Sequence, residues 1–115
     1  MSEIKFTRSH EWVCFYGRKA AVGITCRGIN GDIVYAQLPE VGQKLKKQKP
    51  CAVVESAKTA VEVLSPVNGT VASINESVYD EPERISAQPY KTWLFILEDY
   101  NGFEDLLTKS EYTEL

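Results

Sequence analysis

The residue best placed to do chemistry in this sequence is a lysine between two β-prone runs. Ala52-Val53-Val54 precedes it and Val61-Glu62-Val63-Leu64 follows it. Between them stand Glu55-Ser56-Ala57-Lys58-Thr59-Ala60, all small or polar. Two strands joined over so short a connection make a hairpin, with Lys58 near its tip. Ala57 and Thr59 are too small to cover the amine, so a modifying enzyme could reach it. An exposed lysine is a poor nucleophile by itself, and such an enzyme would have to activate it. On spacing alone, however, the better supported reading is that Lys58 is an ordinary solvated hairpin lysine.

The other reactive side chains are few. His10 is the only histidine, and with Glu11 it does not make a catalytic set. No Ser-His-Asp constellation, supported Cys-His pair, phosphate-binding loop or metal-ligand cluster is present. Cys14, Cys26 and Cys51 are odd in number, widely spaced and without a CxxC pair, so they suggest neither a disulfide framework nor a zinc site. Cys51 precedes an apolar run and is expected to be a buried small hydrophobe. The balance of 13 Lys+Arg against 16 Asp+Glu disfavours nucleic acid as the main partner. The one basic cluster, Lys44, Lys46, Lys47 and Lys49, reads as a solvated loop face.

These residues must be positioned by short strands. The patterning predicts strands over Val13 to Tyr16 and Ala20 to Thr25, joined through Gly17-Arg18-Lys19. Further strands are predicted over Asp32 to Leu38, Pro50 to Glu55, Ala60 to Leu64, Gly69 to Ile74 and Trp93 to Leu97. In Asp32 to Leu38 alternation sets Ile33, Tyr35 and Gln37 on one face, opposite Val34, Ala36 and Leu38. Pro39 to Gly42 and Ser65 to Asn68 read as turns. One helical turn is expected at Asp80 to Arg84, a short helix at Asn101 to Thr108 capped by Asn101, and a last one from a Ser110 cap to Leu115. Together these make a mainly β fold, a sandwich or flattened barrel of short antiparallel strands, with one or two short helices at the C-terminus. The 115 residues fit a single domain, 1–115, with the lysine hairpin near 50–71 and a helical segment at about 101–115. The N-terminus lacks a secretory h-region, and no segment approaches the roughly 20 apolar residues of a membrane span. The expected setting is the bacterial cytoplasm, or the mitochondrial matrix if a transit peptide has been removed.

The lysine segment resembles the attachment hairpin of lipoyl carriers, a biotinyl/lipoyl-attachment hammerhead fold. Glu55 lies three residues before Lys58 and Gly69 eleven after it, as in that family. Ser65-Pro66-Val67-Asn68-Gly69-Thr70-Val71 resembles the Pro-x-x-Gly turn and strand that follow. Biotin carriers typically hold their lysine between two methionines; here the neighbours are Ala57 and Thr59, and the only methionine is Met1. Along nearly the whole chain the sequence is similar to the glycine cleavage system H protein. The likeness runs through Phe6 to Trp12 with its His10-Glu11-Trp12, Val22 to Thr25, Gly31 to Val34, Leu38 to Gly42, Asn75 to Pro82, Pro89-Tyr90 and Trp93.

The resemblance implies that Lys58 bears a covalent lipoyl group, with Glu55 and Gly69 read during lipoylation. It implies a carrier rather than an enzyme. The arm would take the aminomethyl group of glycine from the pyridoxal-phosphate decarboxylase (P protein) to the aminomethyltransferase (T protein), then its dithiol to the dihydrolipoyl dehydrogenase (L protein). A lipoate ligase or octanoyltransferase would attach it. The carrier is expected to be a monomer that binds each partner weakly, with Glu55 and Glu62 steering encounters. His10 and Glu11 are candidates for a cleft in which the arm rests, whereas Trp12 is expected in the core. Two stretches depart from the family. Cys26 to Gly31 is shorter and carries two glycines, which reduces a helix to a turn, and Lys91-Thr92 precede Trp93 where the family tends to have glycines. Both bear on docking and leave open a lipoylated protein that relays lipoyl groups to other enzymes.

Overall fold

In the computed structural model, residues 3–115 are described. Among them nine strands form: β1 Glu3–Phe6, β2 Glu11–Tyr16, β3 Lys19–Ile24, β4 Ile33–Gln37, β5 Lys44–Leu45, β6 Pro50–Ser56, β7 Ala60–Leu64, β8 Asn68–Ile74 and β9 Phe95–Asn101. Three short helices accompany them: α1 Ser77–Asp80, α2 Glu83–Ala87 and α3 Lys109–Thr113. A six-stranded sheet runs β1-β2-β3-β9-β8-β5 and a three-stranded one runs β4-β6-β7, every pair antiparallel. The sheets do not close into a barrel. They share one core, to which the larger contributes Val13, Val22, Val71, Phe95 and Leu97 and the smaller Ile33, Ala36, Val54 and Val63. No helix among these residues is long and apolar enough to cross a membrane.

The outer face of the larger sheet has a second, smaller cluster. Phe6, Trp12 and Ala21 pack there beneath Tyr112 of α3, with Phe6 and Tyr112 stacked at 4.8 Å. Trp12, buried as expected, lies over Gly23, its partner in the β2–β3 register. A methyl group at Gly23 would come within 2.4 Å of the indole, so only glycine fits beneath it.

The strand pattern of the sequence is present with shifted ends, and β1 and the two-residue β5 are additional. The last strand begins at Phe95, not Trp93, and extends to Asn101. The helix expected at Asn101 to Thr108 does not form. Asn101 ends β9, Gly102 turns at φ +80°, and Phe103 packs against Phe15 and Tyr100. Leu107 then pairs with Phe6 through two backbone hydrogen bonds of 2.9 and 2.8 Å. These tertiary contacts outweigh the weak preference of a lone short helix. The final helix is capped by Thr108 rather than Ser110, in a reciprocal capping box with Glu111. The turn expected at Asp80 to Arg84 is two separate helices, α1 and α2, divided at Glu81 because a residue before proline is pushed out of the helical region.

Strand β4 departs from strict alternation. Ile33 is opposite Ser56 while Tyr35 is opposite Glu55, so Val34 is an extra residue, a β-bulge. Ile33, Ala36 and Leu38 are buried, and Val34 and Tyr35 both turn outward. The Ile33 N–H donates to Ser86 Oγ of α2 at 3.0 Å.

Candidate functional site

The β6–β7 hairpin is held to the core by Ala52, Val54 and Val63, which point inward from alternate positions. Its tip, Ala57-Lys58-Thr59, is exposed throughout. Ser56 shapes that tip. Its N–H donates to the Thr59 carbonyl at 2.9 Å, and its Oγ accepts from the Lys58 and Thr59 N–H groups, both at 3.3 Å. The serine hydroxyl thus supplies acceptors that the small turn lacks. Among the described residues Lys58 forms no ion pair. Ser56 was not singled out in the sequence; a serine at the last strand position before a tight connection is the available signal.

Glu55 sits in β6 between Tyr35 of β4 and Ala60 of β7, half-buried, on the face turned from the core. Glu62, also outward, is exposed opposite Val53. Gly69 is elsewhere, in the larger sheet, where β8 comes close to β9. A Cβ there would lie 3.2 Å from the Glu98 carbonyl oxygen and from Leu97 Cβ. Its φ is not positive, so close packing, not backbone handedness, calls for glycine.

His10 immediately precedes β2 and Glu11 begins it, and their side chains reach different partners. Glu11 is 1% exposed. Its Oε1 accepts from Thr7 Oγ1 at 2.6 Å and Ser9 Oγ at 2.5 Å, and its Oε2 accepts from the Leu64 N–H at 3.1 Å. The carboxylate therefore joins the two sheets from within, with its oxygens turned to these donors. Burial pushes the Glu11 carboxyl above its ordinary range, against the opposing pull of the donors on Ser9, Thr7 and Leu64. Cys51 is half-buried, with its thiol donating to the Val63 carbonyl at 3.4 Å. Burial, with the Glu11 charge second, pushes that thiol up to about 12, which keeps it protonated and unreactive.

His10 takes a left-handed conformation, φ +74°, and its Nδ1 lies 2.7 Å from Tyr112 Oη. Tyr112 Oη is in turn 2.6 Å from Thr25 Oγ1, and Arg27 lies over the Tyr112 ring at 5.0 Å. The shortened segment before β4 is a single 3-10 turn, Cys26–Gly28, through which Arg27 reaches the Tyr112 carbonyl at 3.1 Å. Thr92 is buried and donates to the Arg84 carbonyl at 3.0 Å. Among the described residues no group of three or more His, Cys, Asp or Glu side chains converges as a metal site.

The structure is thus a small two-sheet β fold with a lysine exposed on a hairpin tip. Residues 4–115 match the family described as glycine cleavage H-protein. The glycine cleavage system H protein of Bacillus subtilis is 41% identical over 98% of this chain and 93% of its own length. That of Endomicrobium trichonymphae is 42% identical over 98% of this chain and 95% of its own. The crystal structure of the H protein from Mycobacterium marinum superposes with a TM-score of 0.88 at 33% identity, covering 97% of this chain and 94% of that one. The chain belongs to the glycine cleavage H-protein family, whose members are lipoyl carriers and not catalysts.

Proposed function

We propose that Lys58 is where this carrier holds its lipoyl group, through an amide to Nζ. The observation that carries the reading is the setting of Lys58: exposed, at the tip of β6–β7, on a turn ordered by Ser56, without an ion-pair partner among the described residues. A primary amine between two small side chains suits acylation by an enzyme. When attached, the lipoyl group supplies a disulfide that takes up the aminomethyl group of glycine and a dithiol that is later reoxidised. The chain's own residues supply presentation. Ser56 fixes the direction in which Lys58 leaves the hairpin, and Ala57 and Thr59 keep its base clear. Glu55 places a carboxylate beside the tip as a recognition mark. Gly69 contributes to recognition through shape, by letting β8 lie close against β9 in the larger sheet.

The decarboxylase, aminomethyltransferase and dehydrogenase of glycine cleavage are the partners that belong with this family, and a lipoate ligase or octanoyltransferase is the modifying enzyme. The chain acts as one carrier domain over 1–115, a monomer in the bacterial cytoplasm, in line with its bacterial relatives. Of the two residues expected beside a resting arm, His10 has partly exposed surface, while Glu11 supports the site from inside. The test is intact mass after coexpression with a lipoate ligase in medium containing lipoate. The expected result is a gain of one lipoyl group, abolished by Lys58→Ala. No gain, or a gain that survives Lys58→Ala, sinks the reading.

A further inference from the structure

The Val34 bulge in β4 has no role in the core, yet it turns two large apolar side chains into solvent beside the lysine hairpin. Val34 is 57% and Tyr35 49% exposed. Strict alternation would have left one of them inside. Exposed apolar residues on a border strand invite association, and bulges next to working sites commonly re-aim side chains. The backbone edge of β4 is itself occupied, since Ile33 donates to Ser86 and the Leu38 N–H reaches Tyr79 Oη at 3.4 Å. What remains open is the side-chain face. There Tyr35, Glu55 and Ala60 form one cross-strand row, and Lys58 follows on the connection that links Glu55 to Ala60.

We infer that the Val34–Tyr35 bulge, with Glu55, is the docking surface for the enzyme that acylates Lys58. The inference rests on the proposed role of Lys58. In that acylation Nζ first loses a proton to a base of the enzyme and attacks an activated carboxyl carbon; the activating group leaves with the bonding electron pair, a second proton passes to base, and the amide nitrogen keeps one hydrogen. The reacting nitrogen is then only a four-carbon stem from the backbone of the hairpin turn. A modifying enzyme must bring its catalytic centre down to the hairpin, so it touches the neighbouring row. Enzymes that act on the far end of the finished arm can stand further off. A tyrosine with an apolar body and polar tip beside a carboxylate fits a partner with an apolar pocket rimmed by a cation.

The test uses the unmodified full chain, a lipoate ligase, ATP and lipoate, with lipoylation followed by intact mass over time. Tyr35→Ala and Val34→Ser are each expected to lower kcat/KM at least tenfold, mainly by raising KM, while Tyr16→Ala, at an exposed tyrosine on β2, behaves as wild type. Unchanged melting temperatures show that the variants fold. Independently of any variant, ligase binding is expected to slow amide exchange across residues 33–37. Wild-type kinetics in Tyr35→Ala, or no slowing in that strand, overturns the inference and leaves the role of Lys58 standing. Normal lipoylation of Tyr35→Ala with loss of glycine-dependent carbon dioxide exchange assigns the surface to the decarboxylase and likewise overturns it. Absence of any lipoylation of the wild-type chain sinks both.

Discussion

Neighbouring residues at the start of β2 serve different clusters: Glu11 joins the sheets from inside, and His10 meets α3 through Tyr112. The buried Glu11 has a pH signature. Its carboxyl is raised above the ordinary 4.5, so in the interval above 4.5 the folded chain keeps a proton that the unfolded chain releases. Stability contributed by Glu11 therefore falls as pH rises through that interval, then levels off. Glu11→Gln cannot ionise, yet its carbonyl can still accept from Leu64 while the hydroxyls of Thr7 and Ser9 rotate to accept from its amide. Urea unfolding of both proteins across a pH series is expected to show the wild type losing stability relative to Glu11→Gln as pH rises from 4.5; a difference that grows in the other direction contradicts the assignment. At this scale the exposed hairpin tip that carries Lys58 was legible, because the small and polar residues between two β-prone runs are local. The burial of Glu11 was not, since its donors Thr7, Ser9 and Leu64 come together only when both sheets are in place.

At the scale of elements, runs of β-branched and apolar residues located the main strands, and Ala60–Leu64 matched its expected bounds. Alternation failed in β4, because a bulge depends on the partner strand and not on the residues that contain it. It failed to reveal β1 and β5, which are too short to show a period. At the C-terminus, Asn101 and Phe103 offered helix signals that contacts with Phe15, Tyr100 and Phe6 overrode. The true α3 has five residues, too few to persist alone, so it depends on its cap and on Tyr112 against Phe6. Thr108→Ala removes the side-chain acceptor of the Glu111 N–H and is expected to cost about 1 kcal/mol in urea unfolding, with faster amide exchange at Glu111. Ser110→Ala is expected to cost little by the same measurement, and equal losses would return the cap to Ser110.

In the whole molecule, the two sheets differ in how far apart along the chain their partners lie. The three-stranded sheet is drawn from residues 33–64, whereas β9 pairs with β3 as well as with β8, so that Val22 meets Phe95 across most of the sequence. Such non-local pairing predicts refolding on the order of milliseconds to seconds. Stopped-flow fluorescence of Trp12 and Trp93 measures it, and microsecond refolding would contradict this view of the topology. The position of β9 also has a consequence for biosynthesis. On the ribosome, residues 33–64 emerge with all the partners of the lysine's sheet in hand. The larger sheet, by contrast, has a gap one strand wide between β3 and β8 until translation passes Asn101. Lys58 is therefore made, and its hairpin can pair, before the central strand of the supporting sheet has been synthesised.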